Sequence, residues 1–344
     1  MQTLLISAVL FGVLIAIHEL GHFLLAKATG VTVHEFSLGY GPRLLMIRRG
    51  ETEYSVRLIP WGGYVRMAGL QPGADDWEHE GAFHRRTVGQ RMAVMAAGPA
   101  MNLVLAAVLF AGIFAVAGMT VPTLEVREAM SGYPAAVAGL REGDIIIAIE
   151  NTRLRDWSHL VEIVQRNRGV PLRFLVERAG RQFEVTVTPV EHPELPGKGF
   201  VGIGPRVLVR RPGPVAALWY GLKRTFEVSV IWIRGLVLAI LGRVPADFTG
   251  PVGIAQLVGE AARVGWTSVF YLAGVLSANL ALLNLLPVPA LDGSRLLFLS
   301  WEALRREPVD PEKENFIHLL GFVFLVAVAL IITYRDILRL GGGS

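Results

Sequence analysis

Apolar residues fall into long unbroken blocks along the chain. Four blocks reach the roughly 20 residues needed to cross a hydrocarbon core: Leu4 to Ala26, Met92 to Met119, Trp266 to Leu286 and Phe316 to Tyr334. Each predicts a transmembrane helix. The first has no basic residue ahead of it, exceeds a signal-peptide core in length and holds His18, Glu19 and His22, so it reads as a retained span. A fifth run, Val228 to Leu241, has only 14 residues with Arg234 at its middle. It is too short to span. With Lys223, Arg224 and Glu227 ahead of it, it predicts an amphipathic helix lying at the interface or against the core.

Between the blocks the period changes. Arg43 to Arg49 and Glu53 to Ile59 flank Gly50, and Tyr54, Val56 and Leu58 alternate with polar residues, which predicts a β-hairpin. From Leu124 to Pro189 the pattern becomes short β-like runs (Ile145 to Ile149, Leu172 to Glu177, Phe183 to Val187) around one helical stretch, Trp157 to Arg166. The expected fold class is a polytopic α-helical membrane protein with four transmembrane helices, a membrane-associated β-hairpin and one inserted small mixed α/β domain. The expected divisions are 1–119, with helices one and two and the hairpin; 120–211, the inserted domain; 212–264, an interfacial amphipathic segment; 265–340, with helices three and four; and 341–344, a Gly-Gly-Gly-Ser tail that reads as an expression-linker remnant.

Composition sharpens this picture. Of 344 residues 52% are hydrophobic and 18% charged, against roughly a quarter charged in an ordinary soluble domain. The mean hydropathy of +0.47 excludes a disordered or plain cytosolic chain. Cysteine is absent, so a disulfide framework, a thiolate metal site and a Cys nucleophile are excluded, and any metal must use His, Asp or Glu. The net charge of +4 is dispersed, and Lys27, Lys198, Lys223 and Lys313 are the only lysines, which argues against nucleic-acid binding. Arg43, Arg48, Arg49, Arg57, Arg66, Arg85, Arg86 and Arg91 crowd the loop after helix one. The positive-inside rule makes that loop cytoplasmic, the N-terminus external and Pro122 to Arg211 extracytoplasmic.

The chemistry concentrates in helix one, where His18-Glu19-Leu20-Gly21-His22 forms an HExxH. Positions i and i+4 share a helix face, so two imidazoles reach one metal while Glu19 serves a water as general base. Three ionisable groups within five residues of a membrane helix each cost a few kcal/mol on insertion scales, a burden that points to function. A catalytic zinc takes three protein ligands and leaves one position open. His34, His79, His84, His159, His192 and His318 lie in loops, in the inserted domain or at a helix edge. Asp292 stands out, after Pro287 and Pro289 break helix three inside an apolar run. Non-helical backbone at that depth must line a cavity or be buried in protein, which makes Pro287 and Pro289 site-lining candidates. With helix two as the single crossing between them, helices one and three run in the same direction, and His18, His22 and Asp292 reach the same leaflet. Asn284 is the candidate oxyanion donor or peptide clamp, with a polar packing role as the alternative; Asn279 and Asn102 are weaker candidates.

These residues resemble the intramembrane site-2 metalloproteases, specifically the bacterial regulator-of-sigma-E type. The resemblance rests on HELGH at His18 to His22, on NLLPVPALDG from Asn284 to Gly293, and on GPAMN from Gly98 to Asn102. FSLGYGP (Phe36 to Pro42), PWGGYVRM (Pro60 to Met67) and FTGPVGIA (Phe248 to Ala255) add to it. It implies that His18, His22 and Asp292 bind Zn2+, that Glu19 is the catalytic acid/base, and that the substrate is a transmembrane segment of an anti-sigma factor or remnant signal peptide. Ser294 departs from the second Gly usual after Asp-Gly, which bears on helix-four packing. Ser131 to Ile146 resembles the turn and strand of a PDZ domain, and one such unit is found.

The expected protein is a multi-pass zinc metalloendopeptidase of the cell inner (plasma) membrane. Its active site lies towards the cytoplasm, and its PDZ-like domain is extracytoplasmic. A helical substrate must be unwound, and the hairpin strand bearing Tyr54, Val56 and Leu58 is the expected place to hold it extended. The PDZ-like domain binds a substrate end or filters substrate by size. The alternatives are a non-catalytic PDZ-bearing scaffold with a structural metal, and a membrane-bound zincin acting on soluble peptides.

Overall fold

The computed structural model describes residues 2–70, 75–244, 249–307 and 309–341. Phe248 of FTGPVGIA and residues 342–344 of the Gly-Ser tail lie outside the described residues. The chain forms two compact units, one of Gly118–Pro212 and one of the flanking segments.

The larger unit begins with α1 (Gln2–Ala28), a 27-residue helix whose only basic residue in the last turn is Lys27. Strands β1 (Val33–Arg49) and β2 (Thr52–Met67) follow, and a 3-10 turn (Phe83–Arg85) leads into α2 (Val88–Val116). The start of α2 is fixed by a capping box, in which the Thr87 hydroxyl accepts from the Gln90 N–H and the Gln90 side chain accepts from the Thr87 N–H. Among the described residues four helices are long and apolar enough to cross a membrane: Gln2–Ala28, Val88–Val116, Trp266–Leu285 and Glu312–Arg339. These are the four blocks read from the sequence.

β1 and β2 form more than a simple hairpin. Glu35, Phe36, Ser37 and Leu38 face Arg66, Val65, Tyr64 and Gly63 on one side and Glu53, Tyr54, Ser55 and Val56 on the other. The first half of β1 is therefore an interior strand, and the chain folds back across itself. At its centre Glu35 is buried. It accepts from Ser55 Oγ at 2.8 Å and from Arg57 at 2.7 Å. Burial pushes the Glu35 carboxyl up, but the hydrogen bonds from Arg57, Ser55 and Tyr64 outweigh it and hold the group below the ordinary carboxylate range.

The smaller unit holds β3 (Met119–Ala129), α3 (Pro134–Val137), β4 (Ile145–Ile149), β5 (Thr152–Arg153), α4 (Trp157–Arg166), β6 (Leu172–Arg178), β7 (Arg181–Val187), β8 (Val190–Glu191), β9 (Gly199–Phe200) and β10 (Ile203–Arg210). Its sheet order is β10-β3-β4-β6-β7, with β5 on β4, so β10 is an edge strand. Val126, Ile146, Phe174 and Val176 of the sheet pack on Leu160 and Val164 of α4. Asp144 is fully buried and is held by Arg178, at 2.6 and 2.8 Å, and by the Arg141 N–H.

The larger unit resumes with α5 (Pro214–Ile240), α6 (Pro251–Val264), α7 (Trp266–Leu285), α8 (Asp292–Arg305) and α9 (Pro311–Gly341). The apolar run at Val228 is the second half of α5, a 27-residue helix opened by Pro214 at its first turn. The helix extends ahead of that run through Arg224, which is met by Glu227 at 3.1 Å in the same helix and by the Tyr271 hydroxyl of α7. Small residues let the helices close on α2: a Cβ at Gly221 of α5 would strike the Ala107 carbonyl, and one at Gly274 of α7 would lie 2.9 Å from the Phe110 ring.

Candidate metal centre

Helix geometry puts His18 and His22 one turn apart on a buried face of α1. That face meets α2 at very short range, since a Cβ on Gly21 would strike the Ala97 carbonyl and lie 3.0 Å from Gly98 Cα. Gly98 in turn faces the two imidazoles. A Cβ there would lie 2.8 Å from His18 Cε1 and from His22 Cδ2, and nearer still to His22 Nε2. The third group arrives from the far end of the chain. Helix α7 stops at Leu285, the segment through Pro287 and Pro289 is non-helical, and Asp292 opens α8. A Cβ on Gly293 would collide with the Leu285 and Leu286 carbonyls, so a glycine is required for this sharp return.

The three donor atoms form a nearly equilateral triangle: His18 Nε2 to His22 Nε2 is 3.2 Å, His18 Nε2 to Asp292 Oδ2 is 3.1 Å, and His22 Nε2 to Asp292 Oδ2 is 3.3 Å. Donors about 2.0–2.1 Å from a tetrahedral zinc are separated by about 3.3–3.4 Å, so the triangle has the edge length of such a site. Asp292 Oδ2 is buried without a hydrogen-bond partner. Among the described residues this is the only group of three or more His, Asp or Glu side chains close enough to share one ion. The residues fit zinc in donor chemistry, spacing and desolvation.

The imidazoles are oriented from behind. His22 Nδ1 donates to the Val94 carbonyl at 2.8 Å, which leaves Nε2 free to face the triangle. His18 Nδ1 meets the Asn102 amide at 3.3 Å, and the Asn102 backbone carbonyl accepts from Ser277 Oγ of α7 at 2.8 Å. Pro289 packs against Gly321 of α9, where a Cβ would overlap it, and the Ala290 N–H donates to His318 Nδ1 at 3.0 Å. The loop carrying Asp292 is thus backed by α9.

Glu19 points to the sheet. A Cβ on Gly63 would lie 3.3 Å from Glu19 Cγ, so the side chain lies against β2. Tyr40 donates its hydroxyl to the Gly63 carbonyl at 3.0 Å. The segment from Gly63 to Arg66 pairs with β1 on one side, and among the described residues no other strand lies on the other.

Tyr54, Val56 and Leu58 lie elsewhere. Tyr54 packs on Phe23 and Phe36, and Val56 and Leu58 are exposed. Tyr54 and Val56 sit between two halves of β1 with both backbone edges paired, so peptide addition at these two residues, expected from the sequence, is corrected. Asn284, on the last turn of α7, donates to the Leu280 carbonyl at 3.1 Å and makes no hydrogen bond to His18, Glu19, His22 or Asp292. Gly98, Gly63 and His318 were not singled out as site residues by sequence reasoning. Their signals lay in the GPAMN and PWGGYVRM motifs and, for His318, in a histidine near the start of an apolar block.

A helix-borne HExxH completed by a distant carboxylate, buried among helices of membrane length, is the arrangement of an intramembrane metallopeptidase. Residues 6–328 match the model of peptidase family M50, and the chain belongs to that family. It is 32% identical to the zinc metalloprotease RasP of Geobacillus kaustophilus, over 98% of each chain. To the regulator of sigma-W protease RasP of Bacillus subtilis it is 30% identical, over 98% of this chain and 99% of that one. Among solved structures, the PDZ domain of an SdrC-like protein from Listeria monocytogenes aligns at 15% identity, covering 24% of this chain and 87% of that chain with a TM-score of 0.23.

Proposed function

We propose that the protein is a zinc-dependent endopeptidase that cleaves transmembrane segments of other membrane proteins. The observation that carries the reading is the buried triangle of His18, His22 and Asp292 with Glu19 on the same helix. When bound, zinc supplies Lewis-acid polarisation of the scissile carbonyl and lowers the pKa of a water.

The chain's own residues do the rest. Val94 holds His22 in the productive orientation, and Glu19 takes the proton of the attacking water and passes it to the leaving amine. A helical substrate hides its carbonyls, so it must be drawn out, and the edge from Gly63 to Arg66 beside Glu19 is the strand to which an extended peptide adds. Pro287 and Pro289 line the opposite wall. Asn284 releases Leu280 to clamp the peptide or meet the oxyanion.

The arginine-rich loop supports a site on the cytoplasmic side of the inner membrane, with the unit at Gly118–Pro212 extracytoplasmic. That unit acts as a PDZ-like module that holds a substrate end or excludes bulky extracytoplasmic domains. That the Bacillus subtilis relative is a regulator of sigma-W protease supports a substrate of the anti-sigma type.

The test is Glu19→Gln in the full-length protein, reconstituted with a transmembrane substrate. The expected result is one zinc per chain and no cleavage. Cleavage by the zinc-loaded variant would refute the mechanism, and wild-type preference for a soluble peptide would refute the intramembrane assignment.

A further inference from the structure

The two imidazoles of the triangle are held by chemically different partners. His22 Nδ1 faces a backbone carbonyl, which only accepts, so the ring proton is fixed at Nδ1 and Nε2 always offers its lone pair. His18 Nδ1 faces a primary amide. A primary amide has a donating end and an accepting end that exchange places on a half-turn about the Cβ–Cγ bond. As the amide lies, Asn102 Nδ2 is 3.3 Å from His18 Nδ1, an arrangement in which Nδ1 accepts and the ring proton sits on Nε2. Yet Nε2 is the corner of the triangle, 3.1 Å from Asp292 Oδ2. A nitrogen that ligates a metal carries no proton. The proton must then reside at Nδ1, where it needs an acceptor.

That acceptor is already present. Asn102 is fully buried, and its Oδ1 has no hydrogen-bond partner. A half-turn of the amide brings this oxygen to Nδ1. The backbone at this point is fixed by Ser277 on α7, so the amide reorients without the helix moving.

We propose that Asn102 is the positioning residue of His18. Its Oδ1 accepts the Nδ1 proton and fixes the tautomer that gives Nε2 to the metal. His22 is oriented by a backbone carbonyl, whereas His18 is oriented by a side chain. This inference rests on the metal-site reading above.

The test uses the full-length protein in detergent, with zinc affinity measured by chelator competition and ligand geometry by the visible absorption of the cobalt(II)-substituted protein. Asn102→Leu keeps the volume and removes the acceptor, and is expected to weaken zinc by about 10–100-fold. Asn102→Asp offers oxygens only, and is expected to retain wild-type affinity and the wild-type cobalt spectrum. A packing role predicts the reverse, because leucine fills the space while a carboxylate buries a charge. Wild-type affinity in the leucine variant, or an aspartate variant weakened as much as leucine, would overturn the proposal. Should the leucine variant fail to fold, the aspartate variant decides alone: retention of affinity supports the proposal and loss overturns it. A wild-type protein that binds no zinc would overturn the metal-site reading itself, an outcome distinct from any pattern among the variants.

Discussion

Gly98→Ala is the smallest change that tests the metal centre. It adds one methyl group to α2 where the structure leaves no room, 2.8 Å from His18 Cε1 and from His22 Cδ2. Carbon atoms in ordinary contact lie about 3.5–4.0 Å apart, so each ring must retreat by about 0.7–1.2 Å. The helices do not supply that movement, because Gly21 already meets Ala97 and Gly98 across the same interface. Metal–ligand bonds tolerate about ±0.2 Å, so the displaced rings no longer close on one ion together with Asp292. Overpacking of this kind costs about 1–3 kcal/mol. The protein is therefore expected to fold with reduced stability and to lose zinc by more than the roughly 10–100-fold typical of changes behind a ligand. Elemental analysis after chelator competition reads the metal, and circular dichroism in detergent reads the fold. Gly112→Ala is the control on the same helix, with nothing within 4 Å of the added atom. It is expected to be neutral or to stabilise by up to about 1 kcal/mol. A Gly98→Ala protein holding one zinc per chain with wild-type resistance to chelator would refute the geometry from which the prediction follows.

Two further outcomes concern stability. Asp336 of α9 is buried and accepts from the Gly253 N–H at 2.8 Å, capping the start of α6, where Gly250 has no side chain to do so; Asp336→Ala is expected to cost about 1–2 kcal/mol, read by thermal unfolding in detergent, and an unchanged midpoint would contradict the cap. Burial raises the Asp144 carboxyl, but Arg178 and the Arg141 N–H more than offset this and hold it below its ordinary value. Its contribution is thus fully present above the unfolded carboxylate value of about 3.9 and is lost as pH falls through the lower folded value. Hydrogen exchange of β4 and β6 between pH 2 and 7 is expected to show this acid loss in the wild type and not in Asp144→Asn.

The site was legible wherever chemistry is scarce. Ionisable residues at membrane depth are few, so His18, Glu19, His22 and Asp292 stood out by type alone, and equal helix direction sufficed to bring them together. Trp157 to Arg166 was legible as α4 because its apolar positions recur with the helical period. Gly98 was not legible as a neighbour of the imidazoles, because a glycine in an apolar helix has the same appearance whether it faces a ring or open space, as Gly98 and Gly112 do. The folding back of β1 was hidden too. Alternation identifies a strand but not how many neighbours it has, and the register shifts between Leu38 and Leu45 carry no compositional mark beyond Gly39 and Gly41. The full length of α5 was less plain, since only the run from Val228 is apolar throughout and Arg224 and Glu227, which pair inside the helix, lie ahead of it.

The order in which the proposed metal ligands leave the ribosome has a consequence for the cell. His22 and Asp292 are separated by 270 residues, and at about 5–20 residues per second that interval lasts roughly 14–54 s. Throughout it the growing chain displays two imidazoles and Glu19 beside a strand edge, with no carboxylate to close the centre. A peptidase whose last proposed ligand is Asp292 cannot attack its own emerging helices or its neighbours in the translocation machinery until that residue has been made and folded into place.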